Sequence, residues 1–323
     1  MSVIVVTEEI DGPYDELAEK WTLRRDGDAW RSTDRLLALI ADADVAIVRN
    51  RTQVNQAFFD AAPSLKAVAR AGAGLDNIDL DAADRAGVVV IAPIGANAAS
   101  VGEHALALAL ALSKRLLPTH AATREGGWDR TPTQELRGLT WGLLSAGATA
   151  RATARLARAI GMTIVAFDPY VDPDHQEIRE LGIELAPFDE VLSRANVLSI
   201  HLPYTDSTHH LLNERTLALL PAGALVISVG RGEVIDELAL VHALNSGRVG
   251  GAGLDVRADE PPVPGELEQH PHVILTPHIA GVTVQAQRRI ADVLMEQIGA
   301  VLNGQPTSFA VGSHSQLAQR SPL

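Results

Sequence analysis

Three segments of this 323-residue chain hold residue types that together can move a proton and grip a small acid. They are Ser228-Val229-Gly230-Arg231-Gly232, the run from Leu254-Asp255 to Glu260-Pro261, and Thr276-Pro277-His278-Ile279-Ala280-Gly281. A guanidinium such as Arg231 forks onto two oxygens, so it can hold a carboxylate and polarise the neighbouring carbonyl. The His278 imidazole can give a proton to a carbonyl oxygen or take one from a hydroxyl. A carboxylate beside it, Glu260, favours the protonated ring and fixes its orientation. These three suffice to reduce a 2-keto acid or oxidise a 2-hydroxy acid if a cofactor carries the hydride. Taken singly, each has a plainer reading: a surface ion pair, a solvated loop glutamate, a packed loop histidine. His104, His209, His210, His270 and His272 keep that plainer reading. What favours chemistry is the joint appearance of the three after successive strand-like runs, because the carboxyl ends of parallel strands line the ligand crevice of an open sheet.

The elements that must position them alternate between short β-branched runs and helical patterns, which predicts an α/β fold with parallel strands. Strands are expected at Val3–Val6, Val45–Val48, Ala67–Ala69 and Val88–Ile91, with helices over Thr33–Ala41 and Asn55–Ala62. A long helix is expected near Val101 with Ser100 as its N-cap, and its Ala/Leu stretch from Ala105 to Leu112 should be buried. A second series of strands reads Gly142–Ser145, Thr163–Phe167, Val197–Ile200, Leu225–Val229, Gly253–Val256 and Val273–Thr276. A last helix carries Ile290, Leu294, Ile298 and Val301 as an amphipathic stripe. The segment from Gly312 to Leu323 has no periodicity and reads as a loose tail. Two alternating series without a flexible linker predict two doubly wound, Rossmann-like domains. Residues 1–99 and 286–323 make the first, discontinuous and substrate-binding; residues 100–285 make the second, nucleotide-binding.

The hydride carrier has its own signal. Trp141-Gly142-Leu143-Leu144 runs into Ser145-Ala146-Gly147-Ala148-Thr149-Ala150 and then a helical run. A strand, a glycine turn and a helix N-terminus bind pyrophosphate through backbone N–H groups and the helix dipole. Asp168 lies 21 residues past Gly147 at the end of the next strand. A carboxylate there accepts from ribose hydroxyls and repels a 2′-phosphate, which favours NAD over NADP. The usual G-x-G-x-x-G appears as S-x-G-x-x-A. If the first place needs a positive φ, Ser145 costs on the order of 1 kcal/mol, so Ser145→Gly is expected to tighten NADH binding.

Composition narrows the alternatives. Lys plus Arg number 27 against 40 Asp plus Glu, a formal net charge of -13. Such a surface repels nucleic acid and anionic membranes, and no long-range steering draws in small acids. Cysteine is absent, which excludes disulfides, thiolate metal sites and cysteine nucleophiles. The start MSVIVVTEE carries no basic leader, and the longest apolar run, Ala105 to Leu112, falls well short of the about 20 residues needed to cross a bilayer. A cytoplasmic protein is expected.

From about Val45 to Gly304 the sequence strongly resembles the D-isomer-specific 2-hydroxyacid dehydrogenases, the family that includes phosphoglycerate dehydrogenase. The resemblance is carried by Arg49-Asn50-Arg51-Thr52, by Gly72-Ala73-Gly74-Leu75-Asp76-Asn77-Ile78-Asp79, by Asn97, Ser100, Val101, Gly102, Glu103 and His104, and by the three segments above. Arg231 and Glu260 also stand 29 residues apart, the spacing that family shows. The resemblance implies that Arg231, Glu260 and His278 are the catalytic residues and that the cofactor is NAD. It implies cofactor contacts at Val101, Gly147, Ala148, Thr149, Asp168, Pro203, Val229, Gly230, Asp255 and Gly281, with Asp255 on the nicotinamide carboxamide. Substrate contacts are implied at Arg49, Asn50, Arg51, Ala73 and Gly74, and no metal is implied. A small 2-keto or 2-hydroxy acid is the implied partner, and a homodimer the implied assembly. Related formate dehydrogenases carry Gln where Glu260 stands. Arg257-Ala258 replaces the family's aromatic-acidic pair, and no appended regulatory domain is expected. The alternative is a cofactor-sensing interaction protein on the same fold, like the family's transcriptional corepressors.

Overall fold

Runs such as Val3–Val6 and Val45–Val48 are apolar on both faces, which suits strands covered on both sides by helices. In the computed structural model, which describes residues 1–312, that is what they form. The described chain makes two units, residues 1–97 with 283–312 and residues 98–282.

The first unit begins β1 (Val3–Val6), β2 (Thr22–Arg25), α1 (Thr33–Ile40), β3 (Val45–Val48), α2 (Gln56–Ala61), β4 (Ala67–Arg70), α3 (Leu80–Ala86) and β5 (Val89–Ile91). The second contains α4 (Ala98–Ser113), α5 (Leu116–Arg124), β6 (Thr140–Leu144), α6 (Ala148–Ala159), β7 (Thr163–Phe167), α7 (Gln176–Leu181), β8 (Glu184–Leu185), α8 (Phe188–Arg194) and β9 (Val197–Ile200). It continues with α9 (Glu214–Leu217), β10 (Ala224–Ser228), α10 (Glu237–Asn245), β11 (Val249–Leu254), α11 (Glu266–Gln269) and β12 (Val273–Leu275). The chain then returns to the first unit as α12 (Val284–Leu302) and β13 (Ala310–Val311).

In the first unit the strand order is β2-β1-β3-β4-β5-β13, parallel except for β13, which pairs antiparallel with β5. The order reverses between β1 and β3, the switch point at which doubly wound sheets bind ligands. One face packs Val5, Ala46, Val48, Val68 and Val90 against Leu36, Ile40 and Phe58 of α1 and α2. The other packs Ile4, Val6, Val45 and Ile47 against the α12 stripe Ile290, Leu294 and Ile298. The second sheet is fully parallel in the order β8-β7-β6-β9-β10-β11-β12, with its switch point between β6 and β9. Helices α4 and α6 cover one face and α8 to α10 the other. At Gly253 in β11 an added Cβ would lie 2.9 Å from Leu108 Cβ of α4, so the strand needs a glycine where that helix presses on it.

Some expectations change. Ser100 is not an N-cap: α4 starts two residues earlier at Ala98, and Ser100 is a buried residue of its first turn. The edge strands β2, β8 and β13 were not expected. Strand β11 begins at Val249 rather than Gly253, because Gly250-Gly251 reads as a turn although both belong to the strand. The tail read from Gly312 onward lies, past that residue, outside the described residues.

Candidate active site

Three consecutive strand ends of the second sheet deliver the three chemical side chains. Immediately past β11 comes Asp255, which is 2% exposed. Its Oδ1 accepts from Thr276 Oγ1 at 2.6 Å and from the Ile279 N–H at 2.9 Å, and its Oδ2 from the Ala280 N–H at 2.8 Å. Its carbonyl also accepts the His278 N–H at 2.8 Å. One buried aspartate therefore shapes the turn past β12, and that turn holds His278 at φ 55°, a left-handed backbone unusual outside glycine. His104 Nε2 lies 3.0 Å from Thr276 Oγ1. Because the threonine hydroxyl gives its proton to Asp255, it accepts from His104, which fixes the proton on Nε2 of that ring.

His278 Nδ1 meets Glu260 Oε2 at 2.7 Å, which leaves Nε2 for a ligand. The other carboxylate oxygen, Oε1, accepts the Arg257 N–H at 3.1 Å. Burial pushes the Glu260 carboxyl up, but the His278 bond, the Arg257 N–H and the nearby Arg231 charge together hold it below the usual range. Arg231 follows β10 and turns its Nη1 back to the Gly230 carbonyl at 2.8 Å. The next residue, Gly232, lies hard against the backbone past β11. An added Cβ there would fall 1.9 Å from the Arg257 carbonyl carbon and 2.4 Å from the Ala258 nitrogen. The arrangement is an imidazole oriented by a carboxylate, with a guanidinium close enough to act on that carboxylate. It can donate or accept one proton beside a bound anion.

At the switch point, β6 runs through Ser145-Ala146-Gly147 into α6. Gly147 is the N-cap with extended backbone, and no side chain caps this helix. An added Cβ at Gly147 would meet only Ser145 Oγ, at 3.3 Å, so the space in front of the turn is open to an approaching group. Asp168, past β7, accepts from the Ala146 N–H at 2.9 Å, from Ser145 Oγ at 3.3 Å and from the Tyr170 N–H at 2.9 Å. A carboxylate has about four lone-pair positions, so one is left for a hydroxyl. An uncapped helix start, an open glycine and a pre-oriented carboxylate fit a dinucleotide: Ala148 and Thr149 N–H groups for the pyrophosphate, Asp168 for a ribose. Ser145 does take a positive φ, 97°. Its hydroxyl also accepts the Gly147 N–H at 3.0 Å, a role that spacing alone did not reveal. Of the other expected cofactor positions, Val101 is buried in α4, Pro203 is exposed past β9, Val229 and Gly230 directly follow β10, and Gly281 ends the His278 turn.

In the first unit, Arg49, Asn50 and Arg51 follow β3 beside its switch point. Glu8, buried past β1, accepts the N–H groups of Arg49, Arg51 and Thr52 at 2.9, 3.1 and 2.9 Å. Asn77 Nδ2 donates to the Arg49 and Thr52 carbonyls at 2.9 and 2.7 Å. The loop is thus clamped from both sides, by Glu8, which has no signal in the local sequence, and by Asn77, which the sequence shows only as a motif member without a role. The Arg51 guanidinium lies 4.8 Å from the Trp30 ring centroid, a cation–π contact. Ala73 and Gly74 follow β4 on the same sheet.

Comparison with known proteins adds the family. The model described as D-isomer specific 2-hydroxyacid dehydrogenase, NAD binding domain, matches residues 106–280. The D-3-phosphoglycerate dehydrogenase of Mycobacterium tuberculosis H37Rv is 40% identical over 283 residues, covering 86% of this chain and 53% of that protein. The chain thus spans about half the length of the curated relatives it matches. Among solved structures, the TT0316 protein of Thermus thermophilus is similar with a TM-score of 0.87 and 32% identity, over 96% of this chain and 100% of that one. A glyoxylate reductase from Paecilomyes thermophila is similar with a TM-score of 0.86 and 29% identity, over 96% and 98% of the two chains.

Proposed function

The chain belongs to the D-isomer specific 2-hydroxyacid dehydrogenase family, and from that premise we propose that it interconverts a small 2-keto acid and the D-2-hydroxy acid with NAD. The observation that carries the reading is the 2.7 Å bond from His278 Nδ1 to Glu260, past the ends of β12 and β11, which follow in order from β10, the strand before Arg231. NAD, when bound, supplies the hydride in one direction and accepts it in the other. In reduction, His278 Nε2 gives its proton to the carbonyl oxygen as C2 is reduced, and in oxidation the same nitrogen takes the hydroxyl proton. Glu260 keeps the ring oriented, and Arg231 grips the carboxylate and polarises the carbonyl.

Cofactor binding falls to Val101, Gly147, Ala148, Thr149, Asp168, Pro203, Val229, Gly230, Asp255 and Gly281. Asp255 spends most of its acceptor capacity on the His278 turn, so its larger contribution is to hold the acid/base residue. In the first unit Arg49, Asn50, Arg51, Ala73 and Gly74 are substrate-binding positions. The clamped loop carries two guanidinium groups, which suits a substrate bearing a second anionic group. The names of the similar proteins, D-3-phosphoglycerate dehydrogenase and glyoxylate reductase, frame the substrate range to test.

The test is NADH consumption with glyoxylate, pyruvate, hydroxypyruvate, 3-phosphohydroxypyruvate and bulkier 2-keto acids. Turnover of at least one is expected. NADH binding without turnover of any would replace this reading with a cofactor-sensing protein.

A further inference from the structure

One side chain fastens the loop that carries Glu260. Arg257 donates through Nε and Nη2 to the two oxygens of Glu237, each at 2.8 Å, and Nη1 pairs with Glu268. Glu237 opens α10 and Glu268 belongs to α11, so the guanidinium ties two helices to the loop between them. The tie is reinforced by backbone: the Ala258 N–H donates to Glu237 Oε1 at 3.2 Å and the Gly265 N–H to Glu268 Oε2 at 2.7 Å. The Arg257 side chain is only 9% exposed. An exposed ion pair would contribute little. This one is sheltered, grips one carboxylate with two parallel bonds and neutralises a second. Removing the cation leaves Glu237 and Glu268 with no counter-charge between them, so the loop has to shift.

What the clasp fixes is the point that matters for the site. The backbone N–H of the same Arg257 is the donor to Glu260 Oε1, the oxygen opposite the one that holds His278. Two residues earlier the chain is anchored by buried Asp255, and on its flank Gly232 leaves no slack. Between Asp255 and Glu260 the side-chain anchor is therefore Arg257.

We infer that Arg257 is a positioning residue: its ion pairs with Glu237 and Glu268 hold the N–H that sets the Glu260 carboxylate against His278. The inference rests on the proposed role of that pair in proton transfer. Glu237 and Glu268 are both held below the usual carboxylate range beside this guanidinium, in keeping with a persistent pairing at neutral pH.

The experiment compares the full-length chain with Arg257→Met, Arg257→Lys and Glu260→Gln. Glutamate-carboxyl NMR titration, with the Glu260 resonance assigned by its loss in Glu260→Gln, reads the carboxylate directly and needs no substrate. Arg257→Met is expected to move the Glu260 midpoint up toward the ordinary range, and Arg257→Lys to restore part of the shift. If the chain reduces a 2-keto acid, kcat of Arg257→Met should fall about tenfold, less than the roughly hundredfold cost of a 1 Å misplacement, with NADH affinity within about twofold of the parent. An unchanged Glu260 midpoint in a folded Arg257→Met protein overturns the inference. Should that variant not fold, Glu237→Gln, which weakens only the paired grip, takes its place with the same criterion. A parent chain that turns over no 2-keto acid defeats the proposed function instead, and the titration still decides the clasp.

Discussion

Ser145 and His278 both hold left-handed backbone beside groups assigned to ligands, at φ 97° and φ 55°, but they are kept there in opposite ways. For a residue other than glycine such a conformation costs on the order of 1–3 kcal/mol and persists only where its surroundings impose it. At His278 the surroundings do all the holding. Asp255 collects the turn through its carbonyl and both carboxylate oxygens, so the imidazole is not needed to hold the turn and its Nδ1 bonds Glu260 instead. At Ser145 the residue holds itself: its own hydroxyl bonds the Gly147 N–H and the Asp168 carboxylate. A strained residue whose side chain is not spent on its own turn can reach other groups, as His278 reaches Glu260. One whose side chain is spent on its own turn can only arrange others.

That contrast can be broken or sharpened by substitution. The largest effect is expected at His278→Gln, where loss of the proton donor should cut kcat by about 10²–10⁴-fold while NADH titration stays unchanged. Retained turnover would remove the imidazole from the chemistry. Next comes Asp255→Ala, which strands the Ile279 and Ala280 N–H groups. It should lower stability by about 1–3 kcal/mol in denaturant melts and lower kcat as well, and a stability loss with kcat intact would mean that the His278 turn holds without its anchor. Smaller effects are expected at Ser145. Ser145→Ala keeps the strain and loses both hydroxyl bonds, so the NADH dissociation constant should rise about five- to tenfold, in line with roughly 1 kcal/mol. Ser145→Gly relieves the strain and loses the same bonds, so it should stay within about threefold of the parent. Strain alone predicts tighter binding for Ser145→Gly, and the two hydroxyl bonds offset it. Fluorescence titration of both variants separates the two contributions.

The smallest effect concerns pH. The Glu237 and Glu268 carboxyls are depressed below their ordinary value of 4.5 in the folded chain. Their contribution to stability is therefore complete above that pH and disappears as the pH falls through the lower folded value. Thermal melts should show the parent losing its advantage over Arg257→Met below about pH 4.5, and parallel curves across the acid range would contradict the pairing.

How much of this was readable in the residues follows from range. Strands β7 and β9 coincide with their β-branched runs because burial on both faces leaves a nearly continuous apolar signal, broken within the strands only by Ser199. Edge strands β2 and β8 carry Arg24-Arg25 and Glu184 or are two residues long, a composition that protects exposed edges and hides them from pattern reading. Arg231, Glu260, His278 and Asp168 stood out because each follows a recognisable strand. Glu8, Asn77, His104 and the Glu237–Arg257–Glu268 cluster did not, since their meaning lies in contacts 11 to 172 residues away along the chain. Local spacing gives no sign of such pairs. Ser145 and Arg257 offered hints, each as an odd residue in an otherwise familiar segment.

The crowding around Gly232 has an inheritance-like consequence. With no room for even a methyl group between the stretch after β10 and the stretch after β11, the guanidinium and the carboxylate ride on one rigid part. Neither loop can lengthen, bulge or acquire bulk without dragging the other, so useful variation in such a chain has to enter elsewhere. Side-chain changes on the clamped loop of the first unit, which carries Arg49 and Arg51, leave that rigid part untouched.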